Sequence, residues 1–298
     1  MMVAEFLEHQ GARIDAFLDS VLPPECAEPA ELHRAVRYTV FAGGKRFRPT
    51  LAIAVCGALG GDDGACVPAA AALEMIHVSS LIHDDLPCMD DSDVRRGRPS
   101  CHKAFGESTA VLAGDWLLVH PFELVARQVE LGVLPASVAV DVTAVLARAV
   151  CSRGIIAGQV EDLRAESQVI GPDELERIHV LKTAALIEAA ASVGAAVAQA
   201  PAELREASRR GARALGLCFQ VVDDLLDVIG DTAALGKPTG ADERQSKNTY
   251  VSFFGLDGAR RRADALADEA LSCLSTLPPS EWLGRLRDLV HFVVRRTT

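Results

Sequence analysis

Aromatic side chains are scarce in this chain, at 5% of 298 residues. A large core must then come from aliphatic and small side chains, and hydrophobic residues make up 49% of the composition. No run alternates polar and apolar residues convincingly, so no strand is expected. No uninterrupted apolar run reaches the ~18 residues that suggest a membrane span. The start, MMVAEFLEHQ, lacks a basic region followed by an apolar stretch, so no signal peptide is read there. Low-complexity segments are also missing. Eight cysteines are present, but none forms a CxxC pair. They read as small core residues of a reducing cytoplasm, neither a disulfide frame nor a zinc site. Basic residues are outnumbered, 30 against 41 acidic ones, for a net charge of −11. That balance argues against a nucleic-acid partner. It does not exclude an anionic substrate, because the cations are grouped locally.

What remains is helical periodicity. Residues 2–20 form an amphipathic pattern anchored by Phe6, Ile14, Phe17 and Leu18, and a Pro-containing linker follows from Leu22 to Pro29. Helices are expected over about 31–42, 50–59, 68–86, 107–129, 136–164, 172–199, 204–229, 258–276 and 281–296. Abundant alanine suits closely packed helices. The fold expected is a single all-α domain over 1–298, with helices packed around a deep central cavity.

One stretch organises the rest, EMIHVSSLIHDDLPCMDDSDVRRGRPSCH from Glu74 to His102. Pro87 lacks a backbone N–H and ends or kinks the helix before it. Asp84 and Asp85 therefore fall in its last turn, the negative end of the macrodipole, where each carboxylate is disfavoured by roughly 0.3–1 kcal/mol. Asp90, Asp91 and Asp93 follow within ten residues and add mutual repulsion. A divalent cation reverses the sign of both costs, and hard oxygen ligands suit Mg²⁺.

A second acidic group ends another apolar helix, FQVVDDLLD from Phe219 to Asp227. Asp223 and Asp227 share one helix face, Asp224 lies beside them, and Gly230 is expected to stop the helix. Ionised carboxylates in an apolar helix need partners. Two such clusters read as two jaws of a metal site. Upstream, Gly43-Gly44-Lys45-Arg46-Phe47-Arg48-Pro49 puts paired glycines and three cations at a helix start, which suits a diphosphate. His77 lies two helical turns before Asp84, facing the same way. His83 and His102 are expected to be structural.

Together these motifs resemble the trans-prenyl diphosphate synthases, the farnesyl and geranylgeranyl diphosphate synthase family. The carriers are DDLPCMD (Asp84 to Asp90) with RRGRP behind it, DDLLD (Asp223 to Asp227), GGKRFRP, GQVEDL at Gly158 to Leu163, LKT at Leu181 to Thr183, and LGKPTGAD with Lys247 beyond it. They cover about residues 38–250 in family order. The resemblance implies the isoprenoid synthase fold, a homodimer, and head-to-tail 1′-4 condensation of isopentenyl diphosphate with dimethylallyl, geranyl or farnesyl diphosphate. It implies that Asp84, Asp85, Asp90, Asp223, Asp224 and Asp227 hold Mg²⁺, three ions by analogy. Arg95, Lys182, Thr183, Gln220, Lys237 and Lys247 would grip the allylic diphosphate. Lys45, Arg48, His77 and Arg96 would hold the homoallylic one. Gln159 could line the cavity, while Asp162 could equally be a partner behind it. Arg295 and Arg296 either fold back over a diphosphate or are solvated.

The chain departs from the family pattern at Ala241, where a second lysine is usual after the glycine at Gly240. A class I terpene cyclase would share the fold but lack DDLLD and GGKRFRP. A non-catalytic subunit of a heteromeric prenyltransferase would have lost one acidic motif. A structural metal protein would not need Lys45, Arg48, Lys182 and Lys237. On product length, the position five before the first aspartate carries a bulky aromatic in bacterial-type C15 enzymes. Here it is Ser79, next to Ser80, and both are small. Geranylgeranyl diphosphate is the expected product, with farnesyl diphosphate as the alternative.

Overall fold

Helices account for nearly all of the regular structure in the computed structural model, which describes residues 2–166, 168, 170–229 and 248–295. In chain order they are α1 Val3–Val21, α2 Ala30–Val40, α3 Phe47–Ala58, α4 Asp63–Asp84, α5 Cys101–Phe105, α6 Glu107–Glu130, α7 Ala136–Val150, α8 Ile155–Ala165, α9 Pro172–His179, α10 Ala185–Val197, α11 Ala202–Ile229, α12 Tyr250–Leu274 and α13 Glu281–Val294. A π-helical segment, Val180–Ala184, joins α9 to α10.

The four largest departures from the expected boundaries each have a local reason. Asp62 caps α4 by accepting from the N–H groups of Gly64 (2.8 Å) and Ala65 (3.3 Å), so the helix starts at Asp63 with Pro68 inside it. The expected 136–164 helix is broken at Cys151–Gly154, where the Gly154 N–H donates to Cys151 O. A side chain at Gly154 would lie 1.8 Å from Ala149 O, so the turn admits only glycine. The run 172–199 is interrupted by the π segment. Thr249 and Ser252 form a capping box that starts α12 at Tyr250, ahead of a kink at Gly255 (φ 67°).

No strand was expected, yet Val94–Arg95 pairs antiparallel with Arg98–Pro99 (β1 and β2). Arg96 and Gly97 both take positive φ and form the two-residue turn between them. Primed turns of this kind match the twist of a hairpin. The signal was an Arg-Gly pair too short to show alternation.

The centre of the molecule is α10, which packs on α3, α4, α7 and α11, with α3 against α4. Small residues set the spacing. Ala52, Ala54, Ala69 to Ala72, Ala190, Ala191 and Ala195 are fully buried. The expectation concerned uninterrupted apolar runs; apolar helices interrupted by a few polar residues can also be long enough to span a membrane. By length and composition alone, three helical stretches qualify: Asp63–Asp84, Glu107–Glu130 and Pro172–Val197. The first and third bury most of that apolar surface inside the fold, whereas α6 buries a minority of it.

Within this centre α10 meets the backbone of α3 at Gly194, where an added Cβ would sit 2.2 Å from Ala52 O. Backbone cannot yield as a flexible side chain can. Gly194→Ala is therefore expected to lower unfolding free energy by about 1–3 kcal/mol through overpacking, read from urea denaturation.

Candidate active site

The first acidic motif is shaped by helix-end chemistry. The carbonyls at the end of α4 have no intrahelical partners. The following loop supplies them: Asp90 N–H donates to Asp84 O (2.9 Å), Asp91 N–H to Leu86 O (3.1 Å) and Ser92 N–H to Asp85 O (3.2 Å). The loop thus curls back and brings Asp90 beside Asp84. Asp85 faces elsewhere. It is buried, and Arg95 of β1 donates to Oδ1 at 2.5 and 3.0 Å and approaches Oδ2 at 3.2 Å.

The second motif sits on α11. Asp224 and Asp227 are buried, and Asp223 is half-buried. Asp224 accepts from Gln220 Nε2 (3.0 Å) and from the Tyr250 N–H (2.8 Å), which ties the start of α12 to α11. Thr183 donates to Gln220 Oε1 at 2.7 Å, so the π segment is joined to this helix.

That π segment also carries Lys182, whose Nζ donates to Asp162 of α8 at 2.5 Å. Contact at this point depends on Gly158, because a Cβ there would meet the Lys182 backbone nitrogen at 2.4 Å. π-Helical turns recur at functional sites because they rotate side chains out of the regular register. Of the two roles left open, Asp162 is the partner behind Lys182, while Gln159 reaches Met89 Sδ at 3.9 Å.

The basic loop lies at the other side. Gly43 and Gly44 have φ of 92° and 125°. Arg96 donates to Gly43 O, and its guanidinium would be 2.8 Å from a Cβ on Gly44. What comes close to the glycine backbone is therefore Arg96. Lys45 is exposed and lies 5.2 Å from the Phe292 ring. Arg48 Nη1 is 3.2 Å from His77 Nε2 of α4. Arg48 Nε and Gln159 Oε1 are buried with no hydrogen-bond partner among the described residues. His83 packs on Gly114 of α6, and His102 is buried beside Ser100.

Electrostatics connect these groups. Burial pushes the Asp84 carboxyl above the usual range, only partly opposed by Lys182. Burial does the same to Asp85 against the pull of Arg95. Burial alone would lower Lys182, but Asp162 and Asp84 outweigh it and raise it. Arg48 is lowered by burial, against attraction from Glu74 and Asp223. His77 is held well below its ordinary value by burial and then by Arg48 and Arg96, so it is neutral and can accept from Arg48. Lys182 feels Asp84 and Asp90, and Arg48 feels Asp223. Lys182 thus stands with the first acidic motif and Arg48 within electrostatic reach of the second. Lys237, Lys247, Ala241, Gly230 and Arg296 lie outside the described residues. Sequence reading missed Glu74 and Tyr250, which carry no motif, and counted Arg46 with the ligand-facing cations.

Carboxylate oxygens in this setting fit Mg²⁺ by hardness. Among the described residues, no three His, Cys, Asp or Glu side chains gather closely enough to hold a metal by themselves. Such a divided donor set suits an ion bound by one or two carboxylates plus substrate phosphates.

Helices of this order, two of them tipped by aspartate clusters, define a class of diphosphate-handling all-α enzymes. A family model described as polyprenyl synthetase matches residues 29–275, and the chain belongs to that family. Geranylgeranyl pyrophosphate synthase 7, chloroplastic, of Arabidopsis thaliana is 47% identical over 286 residues, covering 95% of this chain and 81% of that protein. An FPP/GFPP synthase from Zymomonas mobilis has a similar structure, with TM-score 0.86, 34% identity and 98% of each chain covered. A geranyltransferase from Helicobacter pylori, complexed with magnesium and isoprenyl diphosphate, matches at TM-score 0.84 and 33% identity, covering 99% of this chain and 97% of that one. The fold is the all-α isoprenoid synthase fold, and the chain is a prenyltransferase by family.

Raised carboxyl pKa values mean that folding disfavours the charged forms. That cost is fully present above the folded values and vanishes as pH falls through them. At neutral pH, Asp84→Asn is therefore expected to raise the metal-free thermal midpoint by roughly 1–3 °C. Thermal denaturation in EDTA reads this.

Proposed function

We propose that this chain joins isopentenyl diphosphate head-to-tail to allylic diphosphates and makes geranylgeranyl diphosphate. The observation that carries it is the pairing of two carboxylate-tipped helices with a separate Arg48–His77 pair whose buried Arg48 Nε awaits an acceptor. Arg95 and Lys182 are bonded to carboxylates, whereas Arg48 is bonded to neutral His77, which gives two different diphosphates separate partners.

Asp84, Asp90, Asp223 and Asp227 hold Mg²⁺ in this reading, three ions per site. Asp85 and Asp224 join them through the lone pairs that remain, since each of their oxygens also takes a protein donor that orients it. Bound Mg²⁺ would neutralise the charge that develops on the departing diphosphate. Arg95, Lys182, Thr183 and Gln220, with Lys237 and Lys247, grip that diphosphate as the allylic C–O bond breaks. Lys45, Arg48, His77 and Arg96 hold isopentenyl diphosphate with its double bond towards the allylic cation. The released diphosphate takes the final proton.

The whole chain, 1–298, acts as one catalytic domain; α1 and α13 both pack on α3, which supports this. It works as a homodimer. Val111, Leu112 and Val119 leave an exposed apolar face on α6, which a second copy would cover. All eight cysteines are free, which suits a reducing compartment such as the cytoplasm.

Product length rests on α4. Ser79 is buried and donates to Gly114 O of α6 at 2.8 Å, and Ser80 donates to His77 O. Both are small, so neither forms a floor under a growing chain. A larger side chain could not stay in the tight α4–α6 seam.

Three outcomes are expected. Radiolabelled condensation needs divalent metal and stops in EDTA, and Asp84→Ala or Asp223→Ala cuts turnover roughly 100-fold or more while the helical circular dichroism is kept. Normal turnover in either variant would defeat the assignment. Arg48→Ala raises KM for isopentenyl diphosphate far more than for the allylic substrate; the reverse pattern would exchange the two sites. Ser79→Phe, with a cooperative melt retained, shifts the main product from C20 to C15. A wild-type enzyme that halts at C15 with excess isopentenyl diphosphate would overturn the product assignment and favour farnesyl diphosphate.

A further inference from the structure

Three cations stand in the GGKRFRP loop, and the middle one faces away from any ligand. Arg46 is 3% exposed. Its Nε donates to Asp15 Oδ1 of α1 at 2.8 Å, its Nη1 to Glu74 Oε1 of α4 at 2.6 Å, and its Nη2 to the Val40 carbonyl at the end of α2 at 2.6 Å. All three guanidinium nitrogens are thus held by three separate helices. Burial alone would lower the Arg46 pKa, but Glu74 and Asp15 outweigh it and raise it, so the charge is secure.

Arg46 is also the residue just before α3, with φ 45° and ψ 37° in the left-handed region. A side chain with a Cβ resists that conformation, and it persists only where the surroundings over-determine it. The three-way clamp does this. The backbone reversal it enforces turns Lys45 outward and starts α3 so that Arg48 meets His77, one turn along α4 from Glu74. Glu74 serves a second purpose. Its charge attracts Arg48 and Arg96 as well as Arg46, and it is buried among them.

We propose that Arg46, clamped by Glu74, Asp15 and the Val40 carbonyl, is the positioning residue that sets Lys45 and Arg48 for the homoallylic diphosphate. It touches no substrate and acts through its neighbours. This rests on the assignment of Arg48 and His77 to isopentenyl diphosphate.

Steady-state kinetics of the full-length enzyme with each substrate varied in turn test it, with Arg48→Ala alongside. Arg46→Ala is expected to raise KM for isopentenyl diphosphate about tenfold, with kcat and the allylic KM within about twofold of wild type. Arg46→Lys should not restore it, because one ammonium cannot meet three acceptors set in a guanidinium's plane. If Arg46→Ala does not fold, Asp15→Asn removes one arm of the clamp from the half-exposed side, and should shift the same KM by about threefold alone. Equal rises in both KM values, or a fall in kcat only, would mean a general structural role and overturn the inference. So would unchanged kinetics in Arg46→Ala or Asp15→Asn while Arg48→Ala still raises the isopentenyl diphosphate KM, and the site assignment would then survive. If Arg48→Ala also fails to move that KM, the assignment and the inference fall together.

Discussion

Buried carboxylate charge at the end of α4 is the constraint on which the site depends. Asp84 and Asp85 lie at the negative end of a helix, largely out of water, and both effects disfavour ionisation. Each answer to that problem recruits another element. Asp85 takes Arg95, which fixes the hairpin behind the loop. Asp84 is met by Lys182 across the site, and Lys182 is held from behind by Asp162. Asp162 reaches it only because Gly158 lets α8 come against the π segment. Motifs scattered from Asp84 to Lys182 are successive consequences of one electrostatic problem.

Much of this was legible in the sequence because it is local. Asp84 falls in the last turn of α4 as Pro87 implied, and α1, α6 and α13 end within a residue or two of their expected limits. The acidic motifs could be read because carboxylates in apolar helices are conspicuous. What could not be read is direction. Helical spacing puts Asp223 and Asp224 side by side, yet gives no sign that Asp224 is occupied by Gln220 and the Tyr250 amide. Nor does Lys-Arg-Phe-Arg tell which cation turns inward. That depends on Asp15 and Glu74, contributed by helices distant in sequence.

The missed boundaries share a cause as well. The break at Gly154 and the π segment at Val180–Ala184 occur within continuous apolar patterns. Periodicity sees the pattern and not the packing. At Gly154 a carbonyl occupies the space of a Cβ, and at the π segment the extra residue rotates Lys182 and Thr183 towards Asp162 and Gln220. Both irregularities lie beside the site, where local rules are most often overridden by function.

An acidic chain that handles anions must separate its fields. With a net charge of −11, the molecule as a whole repels a diphosphate, so attraction has to be local. Burial lowers Arg48 and Arg96 in the basic loop, and repulsion among the arginines, of Arg96 on Arg48 and of Arg46 and Arg95 on Arg96, adds to it. Glu74 is a buried acid set among them, and it accepts from Arg46 at 2.6 Å. Arg48 is left with a buried Nε directed at no described acceptor. An anion arriving there relieves repulsion between the arginines, just as a cation arriving at Asp84 relieves the carboxylates. The two halves of the site therefore make opposite electrostatic demands. In the function proposed above, ligands of opposite charge would stabilise both, a metal-bound diphosphate at the carboxylates and a metal-free one at the arginines.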